Sequence, residues 1–346
     1  MKAYQLTAWQ AQPELREVPV PEPGPGQVLI KVGAAGACHS DLHLMEWPEG
    51  TMNFGLPFTL GHENAGWVEA TGAGVEGLEQ GEPVAVYGPW GCGRCRACRL
   101  SAETYCERQA EIGAFGGGLG LDGGMAEYML VPHARLLLPL GELDPRQAAP
   151  LSDAALTPYH AIKRSLSLLV PGSTAVVIGV GGLGHMAIQI LRELTPSQII
   201  AVDTASAKLK LAREVGADEA IEPGEGAAEA ILELSHGHGA ELVLDNVGAD
   251  ETLALGAKVV RFQSHLTVVG LAGGSFQFGF GALPFEAQLT LPYWGTAIEL
   301  MEVLELAKAG KIVSHIERFP LDRVADAYDK LRAGDLDGRA VICPHG

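Results

Sequence analysis

The sequence predicts an α/β protein whose second half is a doubly wound parallel sheet, preceded by a β-rich domain. Three observations carry this. The stretch 174–194 joins a β-branched run to a glycine-punctuated turn and an amphipathic helix. Strands alternate with helices from about 155 to 290. Residues 1–153 instead hold short strand candidates separated by Gly and Pro clusters, with no such alternation.

The 174–194 stretch organises the rest. Ala175 to Ile178 reads as a buried parallel strand. Gly179, Gly181 and Gly184 then give G-x-G-x-x-G spacing. The first glycine permits the tight turn, the second lets backbone N–H groups approach a pyrophosphate, and the third lets helix and strand pack closely. The phosphates would sit at the positive end of the helix dipole. Met186, Ile190 and Leu194 form one helical face, which Ile188 and Leu191 widen, and Pro196 ends the helix. A second strand, Gln198–Val202, ends in Asp203, 19 residues after Gly184. An acid there is placed to grip the ribose hydroxyls of a dinucleotide.

Composition sets the bounds. A chain of 346 residues suits two domains, and 47% hydrophobic content supports a core. A net charge of −18 and a pI near 5.0 disfavour nucleic acid and anionic membranes as partners. With no apolar run of spanning length and no charged-then-apolar leader at Met1, a soluble cytoplasmic protein is expected. Six cysteines occur, four of them within 15 residues, which points to metal rather than disulfides.

In chain order, strand candidates are Val28–Val32, Ala65–Ala70, Pro83–Tyr87 and Ala126–Val131. Between the first two lie Cys38-His39-Ser40-Asp41-Leu42-His43 and Gly61-His62-Glu63, which gather metal-ligand and hydroxyl chemistry. Cys92, Cys95, Cys98 and Cys106 follow with C-x2-C-x2-C-x7-C spacing. Four thiolates complete a tetrahedral zinc shell and leave no place for substrate, so this site reads as structural. An iron–sulfur cluster or redox thiols are the alternatives. Arg94, Arg96 and Arg99 would offset part of its negative charge. Gly116–Gly118 and Gly123-Gly124 make a mobile loop around Leu119. Asp153 precedes an apolar segment, where an acid must be paired, coordinated or a helix N-cap.

Beyond the glycine loop, a helix is expected over Ala205–Val215 and another near 250–260, with strands at Glu241–Asp245 and His265–Gly270. Gln288–Gly295 reads as a last strand whose exposed edge could pair with a second subunit. Helices near 296–309 and 321–333 precede a terminal strand at Gly338–Cys343.

Taken together, Cys38-His39-Ser40-Asp41, Gly61-His62-Glu63, the four-cysteine lobe, the Gly179–Gly184 loop, Asp203 and Gly338-Arg339 make the sequence similar to the zinc-dependent alcohol dehydrogenases of the medium-chain dehydrogenase/reductase superfamily. It most resembles the bacterial secondary-alcohol dehydrogenase and phenylacetaldehyde reductase type. The resemblance implies a Rossmann NAD-binding domain over 155–290, inserted in a GroES-like catalytic domain made of 1–154 and 291–346. It implies two zinc ions per chain, with the catalytic one in the interdomain cleft. The family's catalytic shell is Cys2His, and here the sequence departs from it. Cys38 and His62 match two ligands, but the third position falls on Asp153, so a Cys–His–Asp shell is expected. Glu63 would then brace the site or exchange onto the metal.

The resemblance further assigns a proton relay to Ser40, the nicotinamide ribose and His43. It assigns cofactor contacts to His39, Thr157, Gly179, Gly181, Gly182, Leu183, Gly184, Asp203, Lys208, Val247, Val269 and Arg339, with His39 and Arg339 on the phosphates. Phe54, Trp90, Leu119, Tyr293 and Trp294 are pocket candidates by position and suit aryl or alkyl ketones and aldehydes. Asp203 with no arginine directly after it favours NAD over NADP. A homodimer or homotetramer is expected. The rival readings are a polyol or sugar dehydrogenase of the same superfamily and, from another class, a zinc-ribbon binding protein without catalysis.

Overall fold

A computed structural model describes residues 1–346. The chain divides into two compact units. The first comprises Met1–Leu156, Trp294–Gly310 and Ser314–Gly346, and the second comprises Thr157–Tyr293 and Lys311–Val313. The short 311–313 piece, expected in the β-rich domain, falls in the second unit. There Gln189 exchanges two hydrogen bonds with the Val313 backbone, at 2.9 and 3.1 Å, and Lys311 pairs with Glu193 at 3.2 Å.

The second unit is a six-stranded, wholly parallel sheet. Its strands are β1 (Thr174–Ile178), β2 (Gln198–Val202), β3 (Glu219–Ile221), β4 (Ala240–Asp245), β5 (Val260–Val268) and β6 (Gln288–Thr290), in spatial order 3-2-1-4-5-6. This is the doubly wound order, with the strand sequence reversing beside β1. β1 is buried at every residue, which is why it reads as an unbroken apolar run rather than an alternating one. Its core joins Val176, Ile178, Ile200, Val202, Val243 and Leu266. Gly179 turns the chain at φ +83° into the helix Gly184–Leu194. A Cβ on Gly184 would run into the Gly179 carbonyl, so only glycine permits this helix–strand approach.

One expected element is shorter than anticipated. Of Gln288–Gly295 only β6 pairs, at the edge of the sheet. Pro292 offers no N–H for a ladder, and Trp294 adopts a left-handed φ of +54°, so the extended run cannot continue.

The first unit is built on a seven-stranded sheet. Its central strand, Val28–Gly36, pairs antiparallel with Glu63–Thr71, Tyr128–Val131 and the terminal strand Arg339–Cys343. Tyr128–Val131 begins later than expected, because Ala126 instead bridges to Ala3. The register sets Gly36 opposite both Glu63 and Val341. A Cβ on Gly36 would collide with the Glu63 carboxylate, so the glycine makes the room that a buried Glu63 needs. No helix in the chain is long and apolar enough to cross a membrane.

Candidate active site and metal centres

Four side chains converge at one place in the first unit. Cys38, His62, Glu63 and Asp153 bring their ligand atoms within 4.8 Å of one another. Each is placed by a different local device. Cys38 caps the helix His39–Glu46, His62 follows Gly61 at φ +92°, Glu63 opens its strand, and Asp153 ends a short 3-10 turn. Asp153 is the only partly exposed member. Its Oδ2 lies 3.6 Å from His62 Nε2 and 3.9 Å from Cys38 Sγ. Ligand atoms on a tetrahedral zinc with ordinary bond lengths would be roughly 3.4–3.6 Å apart. A thiolate, an imidazole nitrogen and a carboxylate oxygen at these spacings therefore fit a zinc ion.

The electrostatics favour a cation. Burial works against a charge on His62, but the Asp41 carboxylate and the bonds to Asp153 and Cys38 outweigh it and lift its pKa well above the usual value. Burial pushes Glu63 up to about 7, against the pull of Arg339. Arg339 is itself 2% exposed. Burial opposes its charge, and Cys38 and Glu63 overcome that and keep it protonated.

Two residues enter the site in ways the sequence reading missed. Asp41, fully buried, accepts from His62 Nδ1 at 3.1 Å, leaving Nε2 to face the cluster. An acid three residues after Cys38 in a helix's first turn was the available signal. Arg339 was expected on a cofactor phosphate. In the structure its Nε donates to Glu63 Oε2 at 3.0 Å, its Nη2 to Glu63 Oε1, and Nη2 lies 3.8 Å from Asp153. Its Nε and Nη2 edge is given to the carboxylates.

The other candidates sort by unit. Ser40 Oγ is 3.6 Å from Cys38 Sγ, and His43, one turn on, stacks against Trp47. His39 is exposed. Trp294 meets the His62 ring edge-on at 5.6 Å, and its indole N–H donates to Ser152 O at 2.8 Å. A Cβ on Gly88 would overlap that indole. Trp90 and Leu119 are buried, and Phe54 packs against Phe58 and Phe115. Tyr293 is 39% exposed and belongs to the second unit.

In the second unit, Asp203 stands at the end of β2. Its carboxylate accepts from the backbone N–H of Val180 at 2.7 Å and of Ala205 at 3.0 Å. Each oxygen keeps a lone pair for a further donor. Lys208 lies half-buried on the next helix. Gly181, Gly182 and Leu183 form the turn between β1 and the helix, and a Cβ on Gly181 would meet open space. Val247 and Val269 follow β4 and β5, and both donate to Asp245. Thr157 is buried in the helix Leu156–Lys163.

The four cysteines form a second cluster. Sulfur separations are 3.9 Å for Cys92–Cys98, 3.4 Å for Cys95–Cys98 and 4.0 Å for Cys95–Cys106. The edge of a tetrathiolate zinc shell is about 3.8 Å. Backbone N–H groups already point at the sulfurs, and that of Arg94 draws Cys92 down to about 6. Burial pushes Cys98 and Cys106 the other way, a cost that a bound cation would reverse. Arg94, Arg96 and Arg99 are exposed around the lobe.

Comparison with known proteins agrees with this geometry. Residues 24–142 match the alcohol dehydrogenase GroES-like domain, and residues 182–308 match the zinc-binding dehydrogenase family. The chain belongs to the zinc-dependent alcohol dehydrogenases of the medium-chain dehydrogenase/reductase superfamily. It is 35% identical to the NAD-dependent alcohol dehydrogenase of Sulfurisphaera tokodaii, over 99% of this chain and 100% of that one. It is 34% identical to the D-arabinose 1-dehydrogenase (NADP+) of Saccharolobus solfataricus, over 99% and 97%. Its fold matches the alcohol dehydrogenase of Aeropyrum pernix with a TM-score of 0.91 at 34% identity, covering 99% and 100%. It matches acetophenone reductase of Geotrichum candidum, solved with NAD, with a TM-score of 0.85 at 31% identity, covering 99% and 96%.

Two outcomes are expected. Cys98→Ser should remove one zinc equivalent and lower the melting temperature while leaving NADH affinity within about twofold, since the lobe holds no cofactor candidate. Metal analysis and calorimetry check this; an unchanged zinc content would show that Cys98 is not a ligand. Asp153→Ala should lose the other zinc and hydride transfer, with NADH binding kept. Near-normal activity with two zincs would reduce Asp153 to a packing residue and leave Glu63 as third ligand.

Proposed function

We propose that this NAD-dependent alcohol dehydrogenase interconverts secondary, and some primary, alcohols with ketones and aldehydes, and favours apolar aryl or alkyl substrates. One observation carries the choice: Trp294 lies edge-on against His62, an apolar wall beside the metal ligands. Acetophenone reductase among the similar structures supports it. The D-arabinose dehydrogenase relative favours the rival sugar reading, which would need polar groups where Trp294 stands.

In this reading Cys38, His62 and Asp153 hold the catalytic zinc and the four cysteines hold the structural one. A zinc held there would supply Lewis acidity toward the alcohol oxygen, and a bound NAD would supply the hydride acceptor. The protein's own groups do the rest. Asp41 keeps the proton of His62 on Nδ1, so that Nε2 offers its lone pair. Ser40 Oγ would accept the alcohol proton while handing its own to the nicotinamide ribose, and His43, one helical turn from Ser40, would take the proton from the ribose and release it to water. Glu63 and Arg339 neutralise each other within the buried cluster. Asp203 receives the adenosine ribose hydroxyls and repels a 2′-phosphate.

A second copy of the chain is the expected partner. β6 is an unpaired sheet edge, flanked by Phe280 at 98% and Leu291 at 76% exposure. Four structural thiolates suit a reducing compartment, here the cytoplasm.

Acetophenone and hexan-2-one should be reduced with NADH, followed at 340 nm, and sorbitol and D-arabinose should be oxidised at least about tenfold less efficiently. The reverse ranking would establish the sugar reading. Separately, NADH should exceed NADPH in kcat/KM by a factor of roughly 100, the value of a close like-charge clash. Asp203→Ser should narrow that ratio, mainly by weakening NADH. Equal use of both cofactors by the unmodified enzyme would show that Asp203 does not face the ribose.

A further inference from the structure

The metal ligand His62 is held by Asp41, and Asp41 is held in turn by a residue 287 positions away. Tyr328, on the helix Val324–Ala333, directs its hydroxyl at Asp41 Oδ2 from 3.0 Å. The same Oδ2 accepts the backbone N–H of Cys38 at 3.0 Å, while Oδ1 takes His62 Nδ1 at 3.1 Å. All three members are sealed from solvent: Asp41 is 0% exposed, Tyr328 1% and His62 2%.

We infer that Tyr328 is a positioning residue for the catalytic metal, fixing through Asp41 the orientation and donor strength of His62. The inference rests on the reading of Cys38, His62 and Asp153 as zinc ligands. A buried carboxylate that is bonded by an N–H, an imidazole and a phenol rather than by a lysine or arginine must be stabilised by those donors. Asp41 has three, and each fixes a different degree of freedom. The Cys38 N–H ties it to the ligand-bearing turn, and the imidazole ties it to the other ligand. The phenol, arriving from the C-terminal part of the chain, closes the remaining direction and stops the carboxylate rotating about χ2. The hydroxyl also lies 3.1 Å from Met125 Sδ. A thioether is a weak acceptor and the phenol has one proton, so the carboxylate receives it.

Packing alone would not require the hydroxyl. The ring stacks on Tyr4 with centroids 6.3 Å apart, a contact that phenylalanine would keep. Without the hydroxyl, Asp41 loses one of its donors and its charge falls more heavily on the His62 N–H. The imidazole is then held by a carboxylate free to swing. Removing a direct partner of a ligating histidine typically weakens metal affinity by about 10- to 100-fold. One layer further out, a smaller effect of the same sign is expected.

The test uses the full chain loaded with zinc, in four forms: unmodified, Tyr328→Phe, Asp41→Asn and the double variant. Zinc release to a chromophoric chelator is followed, with the four-cysteine zinc as internal reference. Visible absorption of Co2+ in the catalytic site is recorded alongside. Tyr328→Phe should release one zinc roughly 3- to 10-fold faster, leave the other unchanged and shift the Co2+ bands. In the Asp41→Asn background it should add nothing. Unchanged release and unchanged bands would overturn the inference, as would a full-sized effect in the Asp41→Asn background, which is the mark of a packing role. Melting temperatures with and without zinc guard against a folding defect. Lost packing lowers both equally, and that result also counts against the inference, whereas lost positioning shrinks only the increment from zinc. A single zinc in the unmodified chain would remove the reading beneath it; two zincs with unaltered release would remove this inference alone.

Discussion

The structure depends on keeping a dense set of buried charges together. Cys38, Asp41 and Glu63 bring acidic groups into a space closed to water, the partly exposed Asp153 adds another at its edge, and Arg339 is the fixed cation among them. Removing ions from water costs several kcal/mol each unless geometry returns it. One guanidinium cannot balance this set, and His62 compensates by being drawn toward its charged form. A divalent metal relieves both problems. It neutralises the excess charge and displaces the proton that the acids force onto the imidazole. The cluster is thus an argument for a metal before any relative is considered. It also explains why Glu63 and Arg339 are paired so closely: each would be untenable alone.

The second unit answers a different constraint, the close approach of backbone to backbone. Gly184 packs against the Gly179 carbonyl, and Gly179 turns at a φ that side chains avoid. The result frees the N-terminus of the following helix to face a ligand rather than a side chain. Asp203 is held by the N–H of Val180, inside the same turn. Asp203 and the glycine turn are therefore one hydrogen-bonded unit, so a change at either disturbs both.

Much of this was legible in the sequence because it is local. The glycine loop, the β1 run, the four-cysteine spacing and the Cys38 motif lie within short windows, and their physical roles follow from residue type and spacing. The parts that were not legible are long-range or conformational. The pairing of Arg339 with Glu63, 276 positions away, is set by the sheet register and leaves no local trace. The stretch 288–295 alternates well enough to pass for a strand, but it is broken at Pro292 and by the backbone of Trp294. The strand Glu219–Ile221 and the helix Ala227–Leu234 went unassigned. The first is too short and too exposed for a hydrophobic period, and the second is introduced by a left-handed Gly226 rather than a polar cap. The expectation for Asp153 rests instead on a departure: a position where the family carries cysteine and this chain carries an acid, which the fold brings beside Cys38 and His62.

The order of assembly follows from where the site's supports lie. Cys38, Asp41, His62 and Glu63 come from the first fifth of the chain, but their partners Arg339 and Tyr328 come from its end. The register that opposes Gly36 to both Glu63 and Val341 is what brings Arg339 to Glu63. Until the helix Val324–Ala333 docks and the terminal strand joins the sheet, Asp41 lacks Tyr328 and Glu63 lacks its counter-ion Arg339. Such non-local pairings form late, because loop closure must be paid before they reward it. The last strand therefore completes the cluster by bringing its cation, and any ion bound there would stabilise the closed sheet against the open one. Because the first unit is made from both ends of the chain, its charge cluster depends on contacts between residues that lie 276 and 287 positions apart.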